Sequence, residues 1–491
     1  MTLPLLSIAQ RSNHVLNPDP SRVLSRLFVA GHDDYGSHES RTSLIIGRIL
    51  DLSDDVVAGA IEDVHANFDD RHQEFRVLLE SHAHRVANRI APDVALDAQR
   101  WRLIGAFFSH EFSVEGASLT NPSAVLHPDQ SGLPSGCARF IMSVRCIGEG
   151  HRSSIGFRTG VLSSTGDVIP DDPQPHLTAG THSESALEHM AFVGLLENLN
   201  DYGENARYVL ETLGDSFSVG ELEERLSLLV HDRDTYRHAE QSVEHFRAIA
   251  ERNYKVRFPL DSDPSARILW PAALAEWRGM EDARFVRAEW TSGKPTYAAT
   301  YTAFNGTDIS QQLIETDDFI TFDISPISGP AAGGKGMAFF PRKIDGQFVA
   351  LSRSDFETNS LSFSHHLEYW ETSQVLQRPT RSWELIQLGN CGSPIETEAG
   401  WLVLTHGVGP MRTYTIGAML LDLHDPSRVI GTLDEPLLAP LQSERNGYVP
   451  NVVYSCGSLA VGNFLMTPFG IADQSIGFAV TRLDHLLERL T

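Results

Sequence analysis

The chain has 491 residues, of which 41% are hydrophobic and 21% charged, proportions typical of a globular protein with two to four domains. Its formal net charge is −25, and no run of Lys and Arg stands out, so nucleic acid is not expected as a partner. Its apolar runs fall short of the roughly 20 residues that span a bilayer, so no membrane partner is expected.

The four cysteines are scattered and form no C-x-x-C pair, which predicts buried thiols in a reducing compartment. The first residues, MTLPLLSIAQRSNHV, lack the basic region and the long apolar stretch of a signal peptide. We therefore predict a cytoplasmic protein.

The first hundred residues favour helices. In LSDDVVAGAIEDVHANF, Ser53 can cap a helix whose first turn is acidic, and apolar residues recur at helical spacing. That stripe consists of Val57, Ala60, Ile61, Val64 and Phe68. We predict an N-terminal helical region over residues 1–100.

Short alternating strands with Gly-containing turns follow over residues 101–165. Helix returns from about 183 to 254, where Ser218 and Glu221 have the spacing of a capping box. We predict a strand segment over 101–165 and a helical insertion over 166–265.

From residue 266 to 491 the chain is almost wholly strand and turn, with a short amphipathic helix at its end. Asp345-Gly346 predicts a tight hairpin. Many short antiparallel strands without βα alternation favour a propeller, a barrel or a sandwich. No repeat of fixed length is visible that would decide among the three.

Carboxylates are the best candidates for chemistry, since the chain has neither a serine nucleophile motif nor a histidine metal motif. WRGMEDARFV, residues 277–286, places Glu281 and Asp282 between two arginines. A solvated surface turn is the simpler explanation. In a strand, however, Asp282 and Arg284 would share one face, with Glu281 on the other, so one carboxylate could face a cavity.

Two further segments suggest contact with an anion or a pocket. GPAAGGKG, residues 329–336, nearly matches a phosphate-binding P-loop, but Gly336 replaces the required hydroxyl and a strand follows instead of a helix. Lys335 could still contact an anion. His406 ends an apolar strand where a loop would open onto a pocket, although a hydrogen-bonded structural histidine is the common alternative.

Four segments in sequence order together resemble glycoside hydrolase family 130, whose members are five-bladed β-propellers that cleave β-mannosides. The segments are LTNPSAVLHPDQSGLPSGCARFIMSVR with SSIGFRTG, then GMEDARFV, then KGMAFFPRKIDGQFVALSR, and last the stretch from GNCGSPIETEAGWLVLTHGVG to GYVPNVVYSCG. They cover residues 101–165 and 266–491, so the resemblance implies a mainly β five-bladed propeller with an N-terminal helical region and a helical insertion.

The resemblance also implies roles for single residues. Asp282 matches the general acid, which is thought to protonate the glycosidic oxygen through the mannose 3-hydroxyl, and Glu281 and Arg284 match the charged frame around it. The other matched residues are Asn121, Ser123, Arg145 and Asp473 in the sugar subsite, and Lys335, Arg353, His406 and Tyr414 in the phosphate site.

Inverting displacement needs an acid on one face of the sugar and a nucleophile on the other. Phosphate is itself nucleophilic and needs cations rather than a base, whereas hydrolysis needs a second carboxylate. We therefore predict a phosphorylase that converts β-linked manno-oligosaccharides to α-mannose 1-phosphate, with phosphate as co-substrate and no metal or other cofactor. The sequence leaves assembly into a homo-oligomer open. The alternatives are an inverting β-mannosidase, for example on β-1,2-mannosides, and a non-catalytic glycan-binding propeller.

Overall fold

The structure is a computed structural model that describes residues 8–29, 40–92, 94–231, 237–290 and 295–490. The chain divides into two compact units. Within the described ranges, no helix is both long and apolar enough to cross a membrane. The smaller unit comprises Asp19–Gly116 with Gln174–Thr178, and the larger one Met1–Pro18, Ala117–Pro173 and Ala179–Thr491.

Strands predominate over helices, which confirms the mainly β prediction. The helices are α1 (Arg41–Leu50), α2 (Asp54–Phe68), α3 (Phe75–Val86), α4 (Ala98–Phe107), α5 (His189–Asn198), α6 (Glu204–Leu210), α7 (Val219–His231), α8 (Ala239–Ala250) and α9 (Leu483–Leu487). The strands are β1 (Ala9–Leu16), β2 (Val23–Leu27), β3 (Ser109–Ser113), β4 (Ser118–Leu126), β5 (Ala138–Ile147), β6 (Ser153–Leu162), β7 (Val168–Pro170), β8 (Thr178–Ala179), β9 (Thr181–Glu184), β10 (Leu187–Glu188), β11 (Ser216–Phe217), β12 (Tyr254–Arg257), β13 (Arg267–Leu269), β14 (Gly279–Ala288), β15 (Thr296–Phe304), β16 (Ile309–Thr316), β17 (Thr321–Pro326), β18 (Ala338–Phe339), β19 (Phe348–Ser352), β20 (Asn359–Ser364), β21 (Thr372–Gln377), β22 (Gln387–Asn390), β23 (Ile395–Thr397), β24 (Gly400–Val408), β25 (Tyr414–Leu421), β26 (Val429–Thr432), β27 (Val453–Tyr454), β28 (Leu459–Val461), β29 (Phe464–Ile471) and β30 (Ser475–Arg482).

The smaller unit consists of helices α1–α4 and the antiparallel pair β2–β3. Ser53 precedes α2 as expected, but its side chain makes no capping hydrogen bond. Helix α4 extends through residue 101, near which we expected strands to begin, because the Asp97 carboxylate caps it by accepting from the Arg100 N–H at 2.8 Å. Buried residues of α1–α4 form one apolar core: Ile46, Ile49, Val57, Ile61, Phe75, Leu79, Ala83, Val86, Leu103, Ile104 and Phe108.

The larger unit contains five antiparallel four-stranded sets, which we call the first to fifth sheets. In order of pairing they are β4-β5-β6-β7, β14-β15-β16-β17, β18-β19-β20-β21, β22-β24-β25-β26 and β27-β29-β30-β1. A single parallel residue pair, Ser153 with Gly279, joins the first sheet to the second. In the third sheet Asp345-Gly346 forms the predicted tight hairpin, with positive φ at both residues and flanking Ile344 bridged to Gln347.

The outer strand of the fifth sheet comes from the other end of the chain. Residues 9–16, which we expected to be helical, form β1 and pair with β30. The helical expectation is wrong there because a strand partner more than 450 residues away is a tertiary contact that local sequence does not reveal.

Each sheet packs on the next through buried apolar side chains. Phe285 of the second sheet lies in one cluster with Phe157 of the first, and the second and third, third and fourth, and fourth and fifth sheets share clusters of the same kind. Each fully buried large side chain contributes about 1.5–3 kcal/mol. The fifth sheet also contacts the first, where the rings of Phe140 and Phe478 lie 6.4 Å apart and the Leu119 N–H donates to Gln474 O at 3.0 Å.

Helices α5–α8 form an insertion between the first and second sheets, with their own apolar core around Phe192 and Phe246. The predicted capping box is confirmed, since the Glu221 N–H donates to Ser218 Oγ at 3.2 Å and Glu221 Oε2 accepts from the Ser218 N–H at 2.8 Å. The division of the chain at residues 100, 165 and 265 stays a proposal.

Candidate active site

A cavity of ≈ 200 Å³ in the larger unit contains most of the residues singled out from the sequence. Eight of the eleven line it, and Ser123, Glu281 and Arg284 do not. The lining residues are Asn121, Arg145, Asp282, Lys335, Arg353, Gln387, His406, Arg412, Tyr414, Val449, Val452, Tyr454 and Asp473.

A β-bulge in β14 points Asp282 into this cavity. Glu281 pairs with Thr302 and Arg284 with Thr300, so two residues lie opposite one across the ladder. Asp282 takes a left-handed backbone conformation, with φ of 56°, which costs on the order of 1–2 kcal/mol for a residue with a Cβ. We expected the side chains of GMEDARFV to alternate between the two faces of the strand. This prediction is wrong, because the bulge adds one residue and interrupts the alternation.

A second bulge, in β4, brings an amide to the same carboxylate. Between Thr120 and Ser123 the register shifts, and Asn121 has φ of 49°. The Asn121 side-chain N–H donates a hydrogen bond to Asp282 Oδ1. Two bulged strands thus aim two polar side chains at one another, a local departure from the sheet that concentrates polar groups at the cavity.

Arg145 holds both acidic residues of the motif. Its Nη2–H donates to Glu281 Oε1 at 2.5 Å and its Nη1–H to Asp282 Oδ1 at 3.3 Å. Burial disfavours the charged guanidinium, but Glu281 and Asp282 outweigh burial and raise the pKa of Arg145. Glu281 therefore serves as the fixed counter-charge, which leaves Asp282 as the carboxylate open to the cavity.

The charge state of Asp282 depends on the cations around it. Burial alone would raise the pKa of this carboxyl, but Arg145 and Arg284 outweigh burial. Lys335 and the hydrogen bond from Asn121 act in the same direction, so the pKa of Asp282 lies below its ordinary value. Without substrates, Asp282 is therefore ionised at neutral pH.

Asp473 is the second carboxylate in the cavity, in a backbone segment where both Ala472 and Asp473 have φ of 49°. Burial raises the pKa of Asp473 to about 6, although Arg145 opposes the shift. Its Oδ1 accepts a long hydrogen bond of 3.5 Å from Thr120 Oγ1. The pKa of Asp282 is thus lowered and that of Asp473 raised. The two carboxyls of the cavity therefore exchange protons at different pH values.

Arg284 lies beneath the cavity and fixes the bulge. Its Nη1–H donates to Asp282 O at 2.8 Å, its Nη2–H to Tyr454 Oη at 2.7 Å, and its Nε–H to Asn390 Oδ1 at 3.3 Å. Ser123 also lies outside the cavity lining. Its Oγ accepts a hydrogen bond from the Phe285 N–H at 2.9 Å, which joins β4 to β14. Both residues support Asp282 from behind.

Lys335 and Arg353 bring positive charge to the cavity. Lys335 follows Gly334, where the backbone φ is 76°. A Cβ added at Gly334 would lie 2.4 Å from the backbone oxygen of Arg353, so only glycine fits there. This close approach brings Lys335 to the segment of Arg353. The glycines of the near-P-loop are thus needed for backbone packing.

His406 is neutral and orients Arg353. A guanidinium only donates, so the 3.2 Å contact makes His406 Nε2 the acceptor from Arg353 Nη1. The Nδ1–H then donates to Asn390 O at 3.0 Å. Burial, reinforced by the charge of Arg353, lowers the pKa of His406 well below its ordinary value. His406 thus positions Arg353, and its predicted place in the phosphate site stays a proposal.

Sequence reasoning missed several lining residues, of which Arg412 matters most. It lies in the turn between β24 and β25, and both Met411 and Arg412 have positive φ. Because Arg412 lies in a turn, strand alternation does not apply to it, and no signal in the sequence indicates its direction. Tyr454 lies within the GYVPNVVYSCG segment but had not been singled out.

The cavity as a whole favours an anion despite the acidity of the protein. Its cations are Arg145, Lys335, Arg353 and Arg412, and Arg145 is committed to carboxylates. Within the part of the chain that the structure describes, the other three form no ion pair with a carboxylate. Arg353 is buried, Lys335 is half-buried and Arg412 is exposed, and cations that form no ion pair with a carboxylate can bind a dianion.

Metal binding has no visible basis among the described residues, where no group of three or more His, Cys, Asp or Glu side chains could hold an ion. That the reaction needs no metal stays a prediction.

A protein-family model matches residues 222–491, more than half of the chain. The model represents glycoside hydrolase family 130 and is described as beta-1,4-mannooligosaccharide phosphorylase.

Curated relatives match part of this chain at moderate identity. The 1,2-beta-oligomannan phosphorylase of Thermoanaerobacter sp. (strain X514) is 33% identical over 216 residues, which cover 43% of this chain and 71% of the relative. The beta-1,2-mannobiose phosphorylase of Listeria innocua is 30% identical over 246 residues, 48% of this chain and 65% of the relative. A solved structure of beta-1,2-mannobiose phosphorylase from Listeria innocua with beta-1,2-mannobiose aligns at a TM-score of 0.46 and 22% identity, covering 77% of this chain and 93% of that chain.

Proposed function

The chain belongs to glycoside hydrolase family 130, and we propose that it is an inverting β-mannoside phosphorylase, which cleaves β-linked manno-oligosaccharides with inorganic phosphate and releases α-mannose 1-phosphate. The observation that carries this proposal is the composition of a single cavity, in which the carboxylate of Asp282 shares the space with the cations Lys335, Arg353 and Arg412. The names of the curated relatives, which are phosphorylases acting on β-mannosides, agree with it.

We also propose that the five sheets form the five blades of a propeller, with the cavity at one end of its axis. The first strand of each sheet, or the residues just before it, contributes one lining residue, as expected if these strands surround an axis. Those residues are Asn121, Asp282, Lys335, Gln387 and Tyr454. The contacts between the fifth and first sheets support closure of the ring.

In the proposed reaction the mannosyl ring lies among Asn121, Arg145 and Asp473, with Asp282 beside its 3-hydroxyl. A phosphate oxygen attacks C1 while the bond from C1 to the glycosidic oxygen breaks, which inverts the β anomer to α. The glycosidic oxygen takes the proton of the 3-hydroxyl, which Asp282 replaces with its own. The family resemblance suggests this relay, and the carboxylate of Asp282 supplies the acid that it needs.

Phosphate has two roles in this scheme. It is the nucleophile, held by Lys335, Arg353 and Arg412 with Tyr414 as a neutral donor. Its negative charges also offset the field that lowers the pKa of Asp282, so phosphate binding favours the protonated acid. Asp282 therefore becomes protonated, and can act as the acid, in the complex that also contains the phosphate nucleophile.

Inverting hydrolysis is the second candidate, because Asp473 is another carboxylate in the cavity with a pKa of about 6. A base that activates water must lie across the sugar from the acid, roughly 6.5–9.5 Å from it. Asp473 and Asp282 both interact with Arg145, which the family resemblance assigns to the sugar subsite. This arrangement favours a sugar-binding role for Asp473.

The proposal is tested by incubating the protein with β-1,2- and β-1,4-mannobiose, with and without phosphate. We expect α-mannose 1-phosphate and mannose in equal amounts, and no cleavage without phosphate. Equal rates of cleavage in phosphate-free buffer would establish the hydrolase instead. Calorimetric binding of the disaccharides without turnover in either buffer would establish a glycan-binding protein. A cytoplasmic location remains a prediction from the sequence, and assembly into a homo-oligomer stays open.

A further inference from the structure

An exposed stack of two rings lies close to the cavity. The rings of His151 and Tyr448 are nearly parallel, with centroids 5.5 Å apart and 16° between their planes. A hydrogen bond joins His151 Nδ1 to Tyr448 Oη. Tyr448 is 44% exposed, so the stack presents apolar ring surface to solvent. The proposed reaction gives this pair no role so far.

Both rings project from loops that continue into the carboxylate side of the cavity. Tyr448 precedes Val449, which lines the cavity and whose N–H donates at 2.8 Å to the oxygen of Ala472, the neighbour of Asp473. His151 lies in the turn after β5, the strand that carries Arg145. The stack is therefore adjacent to the backbone next to Asp473 and to the strand that carries Arg145.

The turn that holds His151 repeats the geometry of the turn that holds Arg412. Gly148 and Gly409 begin the two turns with φ of −112° in each and ψ of −156° and −161°. Two residues with positive φ follow two positions later, Gly150-His151 in one turn and Met411-Arg412 in the other. Arg412 lines the cavity, so His151 occupies in the first sheet the turn position from which a side chain of the fourth sheet reaches it. Left-handed backbone at residues with a Cβ is retained where the side chain must be placed.

A third exposed ring extends the apolar surface. Trp277 is 56% exposed and lies 4.5 Å from the guanidinium carbon of Arg152, the residue after His151. Trp277 also comes two residues before Gly279, which pairs with Ser153. The ring of Trp277 thus lies beside the turn that holds His151.

The cavity itself is too small for a whole oligosaccharide. At ≈ 200 Å³ it is smaller than the roughly 300–1,000 Å³ of pockets that hold drug-sized ligands. It suits one sugar ring with an anion, so the leaving sugar must lie outside. In an inverting displacement the leaving group departs opposite the nucleophile, hence away from Lys335 and Arg353 and on the side of Asp282.

We propose that the His151–Tyr448 stack is the subsite for the leaving sugar, and that Trp277 binds the following sugar of a longer chain. This inference rests on the proposed function. The ligand is a β-linked mannosyl residue, whose face of C–H groups packs on the stacked rings while its hydroxyls remain in water. Aromatic rings suit this contact because they offer a rigid apolar surface with little conformational entropy to lose.

The test is made in the synthetic direction, with mannose 1-phosphate as donor and mannose or β-1,2-mannobiose as acceptor, following phosphate release. Tyr448→Ala should raise the KM for both acceptors on the order of 3- to 10-fold, the loss expected for one stacking contact. The KM for mannose 1-phosphate should stay the same. Tyr448→Phe, which keeps the ring, and Ile169→Ala, at a 53% exposed position on β7, should behave like the wild type.

Trp277→Ala should raise the KM for mannobiose but leave that for mannose unchanged, because only the longer acceptor reaches this ring. An unchanged acceptor KM in Tyr448→Ala would overturn the proposal, as would an equal rise in the KM for mannose 1-phosphate, which indicates a merely structural contact. The wild type separates this failure from failure of the proposed function. If the wild type releases no phosphate with any acceptor, the phosphorylase itself is refuted; if it does, only the subsite is at stake.

Discussion

Replacing Arg284 by lysine tests whether the buried guanidinium holds the acid in place. The side chain is 2% exposed and donates three hydrogen bonds, to the oxygens of Asp282, Tyr454 and Asn390. Lysine keeps the charge but cannot reproduce a planar fork, so at least two of the three bonds are lost. At about 1.5–3 kcal/mol for each bond to a charged group, we expect a loss of about 3–6 kcal/mol in the free energy of unfolding.

The same substitution should reduce catalysis beyond its effect on stability. Without the bond to its carbonyl oxygen, the left-handed bulge at Asp282 can relax, and misplacing a catalytic group by about 1 Å costs on the order of 100-fold in rate. The assays are denaturant unfolding and kcat/KM for β-mannobiose below the unfolding transition. Arg287→Lys is the matched control, since Arg287 lies on the same strand, is exposed, and forms an ion pair with Glu289 at 3.3 Å outside the cavity. Wild-type stability and activity in Arg284→Lys would refute the reasoning.

Three further predictions concern the charged residues of the cavity. Asp282→Asn removes the proton donor and should lower kcat by about 10²–10⁴-fold with folding intact by circular dichroism; near-normal turnover would exclude the acid role. Lys335→Met should raise the KM for phosphate at least tenfold more than that for the mannoside, while Lys343→Met, outside the cavity, should change neither. Burial raises the pKa of the Asp473 carboxyl from 3.8 to about 6. The protonated carboxyl therefore contributes to the stability of the fold below pH 4, and this contribution is lost as the pH rises through 6. The free energy of unfolding of Asp473→Asn should therefore exceed that of the wild type by about 3 kcal/mol at pH 7 and equal it at pH 3. A difference that does not depend on pH would contradict the raised pKa of Asp473.

Ordered motifs were enough to identify the family and most lining residues of the cavity. The prediction of family 130 is confirmed by the family match, and the predicted hairpin at Asp345-Gly346 and the capping box at Ser218 are confirmed by the structure. These features depend on residue types at short fixed spacings. Local chemistry determines them, so a single sequence can reveal them.

The detailed geometry depended on contacts distant in sequence. The direction of Asp282 follows from a bulge that the opposite strand and Arg284 stabilise, and strand periodicity cannot show it. The motif placed His406 in the phosphate site, but only its partners Arg353 and Asn390 show that it is a neutral acceptor and donor. Protonation state is a property of the folded environment, and residue type alone does not determine it.

The central claim is that Asp282 and a bound phosphate face each other across the mannosyl ring. The most direct measurement is a crystal structure of the protein soaked with mannose and phosphate. We predict an anion in contact with Lys335 and Arg353, on the opposite face of the sugar from the Asp282 carboxylate. A water held by Asp473 at that position, with no anion bound, would contradict the account.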